Sequence, residues 1–211
     1  NALTYDTLRP GEAGNVVASD SIVYATVGAA GLIWLDAHSG TSLGSMPPPA
    51  GLGTIDDIAM DGDLLFVLDA EPPGHLAVLS IADVLQPSRV GTIEPVDVGP
   101  FSGVSAADGV VMVSGGTSRF TVFEYDHAGA LKGPEATVDL GRGQPDILVT
   151  PGGRAYVSTH YWGPYFGINT LRYDRSSHSI NPLSRLPLER AGFTAGGAKP
   201  ANFPIEVAAL G

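Results

Sequence analysis

The chain has no cysteine, which excludes disulfides, Cys-ligated zinc, iron–sulfur clusters and covalently attached c-type haem. Lysine is nearly missing too: Lys132 and Lys199 are the only two. With 11 basic against 22 acidic side chains the net charge is −11. Such a balance keeps a protein soluble and repels phosphate backbones and anionic headgroups, so neither nucleic acid nor an anionic membrane surface is an expected partner. No apolar run reaches the ~18–20 residues of a membrane-spanning helix. There is no G-x-x-x-x-G-K-[ST] motif and no G-x-G-x-x-G opening a helix, so no nucleotide or redox cofactor is predicted. No signal peptide is visible, and the chain opens on Asn1 rather than Met. That pattern points to a processed or trimmed N terminus and to an extracellular or periplasmic protein.

What is present favours β-structure. The chain of 211 residues is 44% apolar and 16% charged, enough for one domain over 1–211 with a real core. The 28 glycines and 17 prolines imply many turns between short strands rich in β-branched and aromatic residues. One stretch shows the unit plainly. In PDILVTPGGRAYVST, from Pro145 to Thr159, an apolar strand meets a Pro-Gly-Gly turn and a second strand follows. Weaker copies recur. Tyr24, Phe66, Met112 and Tyr156 occupy equivalent places, at steps of 42, 46 and 44 residues. A period in the forties with four short strands per unit is the sequence sign of a β-propeller. The expected fold is therefore all-β, with four blades over 15–53, 54–100, 101–143 and 144–192 and a partial fifth unit at 200–211. Third strands close on Asp36, Asp83, Asp126 and Asp174. Each Asp is expected to shape a turn by accepting a hydrogen bond from the backbone two residues on.

The unit PDILVTPGGRAYVST resembles the YVTN-type propeller repeat. GLIWLDAHSG looks like that repeat's later part, and LAVLSIADVLQPSRVGTI is similar to the related LVIVD variant. The resemblance covers residues 15–190. It implies the fold and leaves the activity open, because propellers host many functions. The stub at 200–211 raises the question of closure. The ring is closed by the terminal strands, or it is completed by a missing segment or by a second chain. Completion from outside is the expectation, since an open ring leaves strand edges and a blade face bare.

Three constellations bear on chemistry. Gly40-Thr41-Ser42-Leu43-Gly44 matches G-x-S-x-G, but a nucleophile elbow needs a strand-to-helix bend, and this one falls in a hairpin. The five histidines have no metal-motif spacing. Short polar residues stand where each first strand begins, at the expected channel mouth: Asn15, Asp57, Ser102, Asp146 and Asn202. They cap the strands, or Asp57 and Asp146 hold Ca²⁺ or another divalent cation through oxygen ligands. The position is the one used by propeller lactonases of the gluconolactonase type. On the same face, the fourth loop between second and third strands carries His160, Tyr161, Trp162, Tyr165 and Phe166. Aromatics there either fold down as a lid or bind a protein or glycan. The sequence thus leans to a non-catalytic module that presents its loop face to such a partner. A metal-dependent lactonase-like hydrolase and a structural module of a larger assembly are the alternatives.

Overall fold

Runs of four to eight apolar residues bounded by Gly, Asp or Pro fold as strands and pair with their sequence neighbours. The computed structural model describes residues 14–19, 21–97, 102–115, 119–139, 147–159 and 167–186. These form four antiparallel sheets of four strands, each an up-and-down meander. The first holds β1 (Val16–Ala18), β2 (Ile22–Thr26), β3 (Leu32–Asp36) and β4 (Ser42–Met46). The second holds β5 (Asp57–Asp61), β6 (Leu64–Asp69), β7 (His75–Ser80) and β8 (Ser88–Pro95). The third holds β9 (Val104–Ala107), β10 (Val110–Ser114), β11 (Arg119–Tyr125) and β12 (Leu131–Asp139). The fourth holds β13 (Ile147–Thr150), β14 (Arg154–Thr159), β15 (Gly167–Asp174) and β16 (Ser179–Leu186). The all-β propeller arrangement expected from the repeat is what the chain adopts. The partial fifth unit lies outside the described residues.

Each sheet has a leading face toward the sheet before it and a trailing face toward the sheet after it. On the first sheet Tyr24 and Trp34 pair across β2 and β3 and project from the trailing face onto Leu65, Val67 and Leu79 of the second. Phe66 and Val78 of the second sheet pack on Val111, Val113 and Phe123 of the third. Met112 and Val122 of the third pack on Ala155, Val157 and Leu171 of the fourth. A large central side chain therefore meets a smaller pair on the next sheet at all three junctions. Tyr24, Phe66 and Met112 are fully buried, and each contributes about 1.5–3 kcal/mol of apolar burial. Tyr156, in the equivalent place, is only half-buried. Its row faces away from the third sheet, and it belongs to none of the three interblade cores. Among the described residues no buried cluster joins the fourth sheet to the first.

The periphery also repeats. In every sheet the register slips once between the third and fourth strands, a bulge that bends and twists the outer strand. In the first sheet this places Gly44 opposite Trp34, where a Cβ would come 2.4 Å from the indole. The four third-strand aspartates do what was expected of them. Asp36, Asp83, Asp126 and Asp174 accept the backbone N–H two residues on, at 3.0, 3.1, 3.0 and 2.9 Å. Further bonds hold three of them below the usual carboxylate range: to the backbone and hydroxyl of Ser39 at Asp36, to the backbone of Ala130 at Asp126, and to the hydroxyl and backbone of Ser176 at Asp174. Ser42 begins β4 and is exposed, so the G-x-S-x-G match runs from the hairpin into a strand and makes no elbow.

Three outcomes are expected. Phe66→Ala opens a cavity between the second and third sheets and lowers unfolding stability by about 3–5 kcal/mol in denaturant titration. Tyr24→Phe acts in the opposite direction. The Tyr24 hydroxyl is buried and has no hydrogen-bond partner, so removing it raises stability by roughly 1 kcal/mol or more in the same titration. The turn aspartates set an acid limit. Because their folded pKa values lie below the unfolded one, their stabilisation is present above pH 3.8 and is lost as pH falls further. Thermal melts from about pH 6 to about pH 2 register this as a falling midpoint, and Asp126→Asn and Asp174→Asn together shallow the fall.

Candidate functional site

The four first strands lie innermost, and each of β5, β9 and β13 adjoins the first strand of the sheet before it. Their starts, with the loops joining second to third strands, make one face. Asp57 stands at the start of β5, where the sequence placed it, and is buried. Its Oδ1 accepts the Ile58 N–H at 2.8 Å and its Oδ2 accepts the Val104 N–H of the next sheet at 2.6 Å. This bond clamps β5 to β9. Ser105 repeats the device one junction on, with its Oγ accepting the Val149 N–H at 2.9 Å. At the first junction the Asn15 side chain donates to the Asp56 carbonyl at 3.4 Å and Ile55 N–H donates to the Gly28 carbonyl at 3.1 Å. A cation at Asp57 would share its oxygens with two backbone donors. Among the described residues no three His, Asp or Glu side chains gather as a metal-binding group. Asp146, the second predicted ligand, lies outside the described residues.

The densest polar cluster on this face surrounds Thr54. Its hydroxyl lies 2.6 Å from Asp56 Oδ2 and 3.1 Å from Asp69 Oδ1. Asp56 Oδ2 also accepts the Ala70 N–H at 2.7 Å. Asp69, only 4% exposed, accepts the Gly53 N–H at 2.7 Å and the Glu71 N–H at 3.0 Å. Two carboxylates and a hydroxyl thus tie three chain segments together: the turn that leads into β5, the end of β6 and the loop after it. Charge-assisted bonds of this kind are about twice as strong as neutral ones. The cluster shapes the loops of the second sheet. Sequence reasoning missed Thr54, Asp56 and Asp69; the local signal was Asp69, whose side chain accepts the N–H two residues on, as in an Asx turn.

A second set of carboxylates works at the opposite ends of the strands. The Tyr125 hydroxyl donates to Asp61 of the preceding sheet, and the Tyr173 hydroxyl donates to Glu124 of its preceding sheet at 2.9 Å. Burial, reinforced by these bonds, pushes both hydroxyls above the usual tyrosine range. They stay protonated and remain donors. The predicted binding residues His160, Tyr161, Trp162, Tyr165 and Phe166 lie outside the described residues, in the segment that joins β14 to β15.

No protein-family model matches the chain, and no curated protein matches it. Solved structures do match. Hsv2 from Kluyveromyces lactis superposes with a TM-score of 0.55 at 12% identity, over 79% of this chain and 50% of that one. BamB from Moraxella catarrhalis superposes with a TM-score of 0.48 at 11% identity, over 69% of this chain and 40% of that one. The likeness to Hsv2 shows the propeller fold and does not single out the YVTN type. The chain spans half the length of Hsv2, or less than that of BamB.

The clamp makes a measurable prediction. Asp57→Ala leaves the buried Val104 N–H without this acceptor and lowers unfolding stability by about 1–3 kcal/mol. Asp57→Asn retains one acceptor oxygen and costs less. Backbone hydrogen exchange at Val104 reports the loss directly, and unchanged exchange would remove the clamp from this account.

Proposed function

We propose that this chain is a non-catalytic propeller module that presents its loop face to a protein or glycan partner. The supporting observation is how the acidic groups of that face are employed. Asp56, Asp57 and Asp69 each accept backbone N–H groups, so they brace the strand starts and loops of a rigid platform. Rigid scaffolds with variable loops are a common way to display a binding surface. The segment best suited to contact is His160–Phe166, with Tyr161, Trp162, Tyr165 and Phe166 among its seven residues. Aromatic side chains offer large contact area for few rotatable bonds and stack on sugar rings or fill pockets of a protein partner.

The chain's two tryptophans make the test direct. Trp34 is buried between sheets, so Trp34→Phe leaves Trp162 as the sole indole reporter. Titration with a panel of soluble oligosaccharides, and photo-crosslinking from position 162 in cell-envelope extracts, cover the two partner classes. A saturable fluorescence change or a discrete crosslinked partner is expected, lost in the Trp162→Ala, Tyr165→Ala double variant at unchanged melting temperature. Loss of the fold in that variant would make the loop a structural element and end this reading.

A further inference from the structure

The three junctions between sheets are fastened with unequal strength. The third is crossed by the Tyr173 hydroxyl on Glu124, the Val149 N–H on Ser105, the His178 ring on Glu135 at 2.9 Å and the Gly152 N–H on Asp108 at 3.2 Å. The second is crossed by the Val104 N–H on Asp57 and the Tyr125 hydroxyl on Asp61. The first has the Asn15 amide on the Asp56 carbonyl at 3.4 Å and the Ile55 N–H on the Gly28 carbonyl at 3.1 Å. Both of its acceptors are neutral, whereas a charged acceptor makes a bond about twice as strong. The middle of the first junction adds a cost. Tyr24 Oη and Trp34 Nε1 are buried there without a hydrogen-bond partner, and each carries its desolvation penalty. The connection between the two sheets is lopsided as well. After β4 the chain runs through Pro47, Pro48 and Pro49, which have no N–H to donate. From Ala50 onward it is fastened to the second sheet. Arg89 donates to the Ala50 carbonyl at 3.1 Å, and Asp69 accepts the Gly53 N–H at 2.7 Å and the Thr54 hydroxyl at 3.1 Å.

We propose that the first sheet, β1 to β4, is a releasable element that parts from the second sheet at the Pro47–Pro49 span while the second, third and fourth sheets stay stacked. Parting returns the Tyr24 hydroxyl and the Trp34 indole N–H to water, and that offsets part of the apolar contact it gives up. The carboxylate bonds of the other two junctions stay intact. Repeat arrays gain and lose units through neighbour contacts, so a weakly fastened unit opens below the free energy of global unfolding. The open form uncovers Leu65, Val67 and Leu79 on the second sheet. This device does not depend on what the loop face binds.

Urea titration of the full chain carrying Trp162→Phe tests this, because Trp34 is then the sole indole and lies at the first junction. Two transitions are expected. Trp34 emission shifts to the red at lower urea with loss of a minor part of the far-ultraviolet circular dichroism, and the rest of that signal is lost at higher urea. Tyr24→Phe raises the first midpoint and leaves the second in place. Phe66→Leu and Asp57→Asn, at the second junction, lower the second midpoint and leave the first. Where either variant brings the two transitions together, native-state hydrogen exchange in low urea separates them: amides of β2 and β3 open at lower free energy than those of β6 and β10. Coincident fluorescence and dichroism transitions in the Trp162→Phe chain would show that the four sheets unfold together, or that segments outside the described residues hold the first sheet, and would overturn the proposal. Equal opening free energies across β2, β3, β6 and β10 would overturn it as well.

Discussion

A four-stranded sheet with apolar side chains on both faces cannot be stable alone, and everything else in this chain follows from that constraint. The second strands show it most clearly. LLFVLD in β6 and VVMVS in β10 are buried along their whole length, because alternate residues serve two different neighbours. Leu65 and Val67 answer to the first sheet, and Phe66 answers to the third. Each sheet is stable only when sandwiched, so stability accumulates along the row as a sum of neighbour contacts, as in other repeat architectures. The end sheets are the exception. IVYAT in β2 alternates buried and half-buried, which is the same apolar pattern with one neighbouring sheet among the described residues.

Polar links are added at both ends of this apolar packing. Near the axis, Asp57 and Ser105 accept backbone N–H groups of the following sheet. At the far ends of the strands, Tyr125 and Tyr173 give hydroxyl bonds to Asp61 and Glu124 of the preceding sheet. In both sets the donor belongs to the following sheet and the acceptor to the preceding one, and together they pin the second and third junctions at both margins. They fix sheet position in a way that non-directional burial does not. The first junction is built differently. Two large polar-tipped side chains, Tyr24 and Trp34, lie in its middle, and neither tip has a hydrogen-bond partner. Its polar support comes instead from the Asn15 side-chain amide, which donates to the Asp56 carbonyl, and from the Ile55 N–H, which donates to the Gly28 carbonyl.

Strand pattern and period were legible because burial on both faces writes long apolar runs, and Gly, Pro and Asp mark where they stop. The equivalence of Tyr24, Phe66, Met112 and Tyr156 held in register, and the aspartate turns held in detail, since both depend on local chemistry. The site was less legible. Asp57 was placed correctly at the strand start, yet its partner, the Val104 N–H, is 47 residues away, and no local pattern announces such a bond. Thr54, Asp56 and Asp69 escaped notice for the same reason, because their meeting depends on how β6 returns beside β5. Tyr156 shares the repeat position of three core residues, Tyr24, Phe66 and Met112, yet is only half-buried. Whether a repeat position is covered depends on a neighbour that local sequence does not describe.

These links recast the acid excess. A net charge of −11 reads at first as a solubility device. In the structure, Asp36, Asp83, Asp126 and Asp174 shape turns, Asp56, Asp57 and Asp69 hold backbone N–H groups, and Asp61 and Glu124 receive tyrosine hydroxyls across junctions. Every one of these tasks requires an acceptor, and an ionised carboxylate is the strongest acceptor a side chain supplies. A lysine can do none of them, because it carries donors only. A fold that fastens its sheets and turns by accepting backbone and hydroxyl protons therefore selects for Asp and Glu without needing compensating cations. The resulting negative field repels acidic ligands.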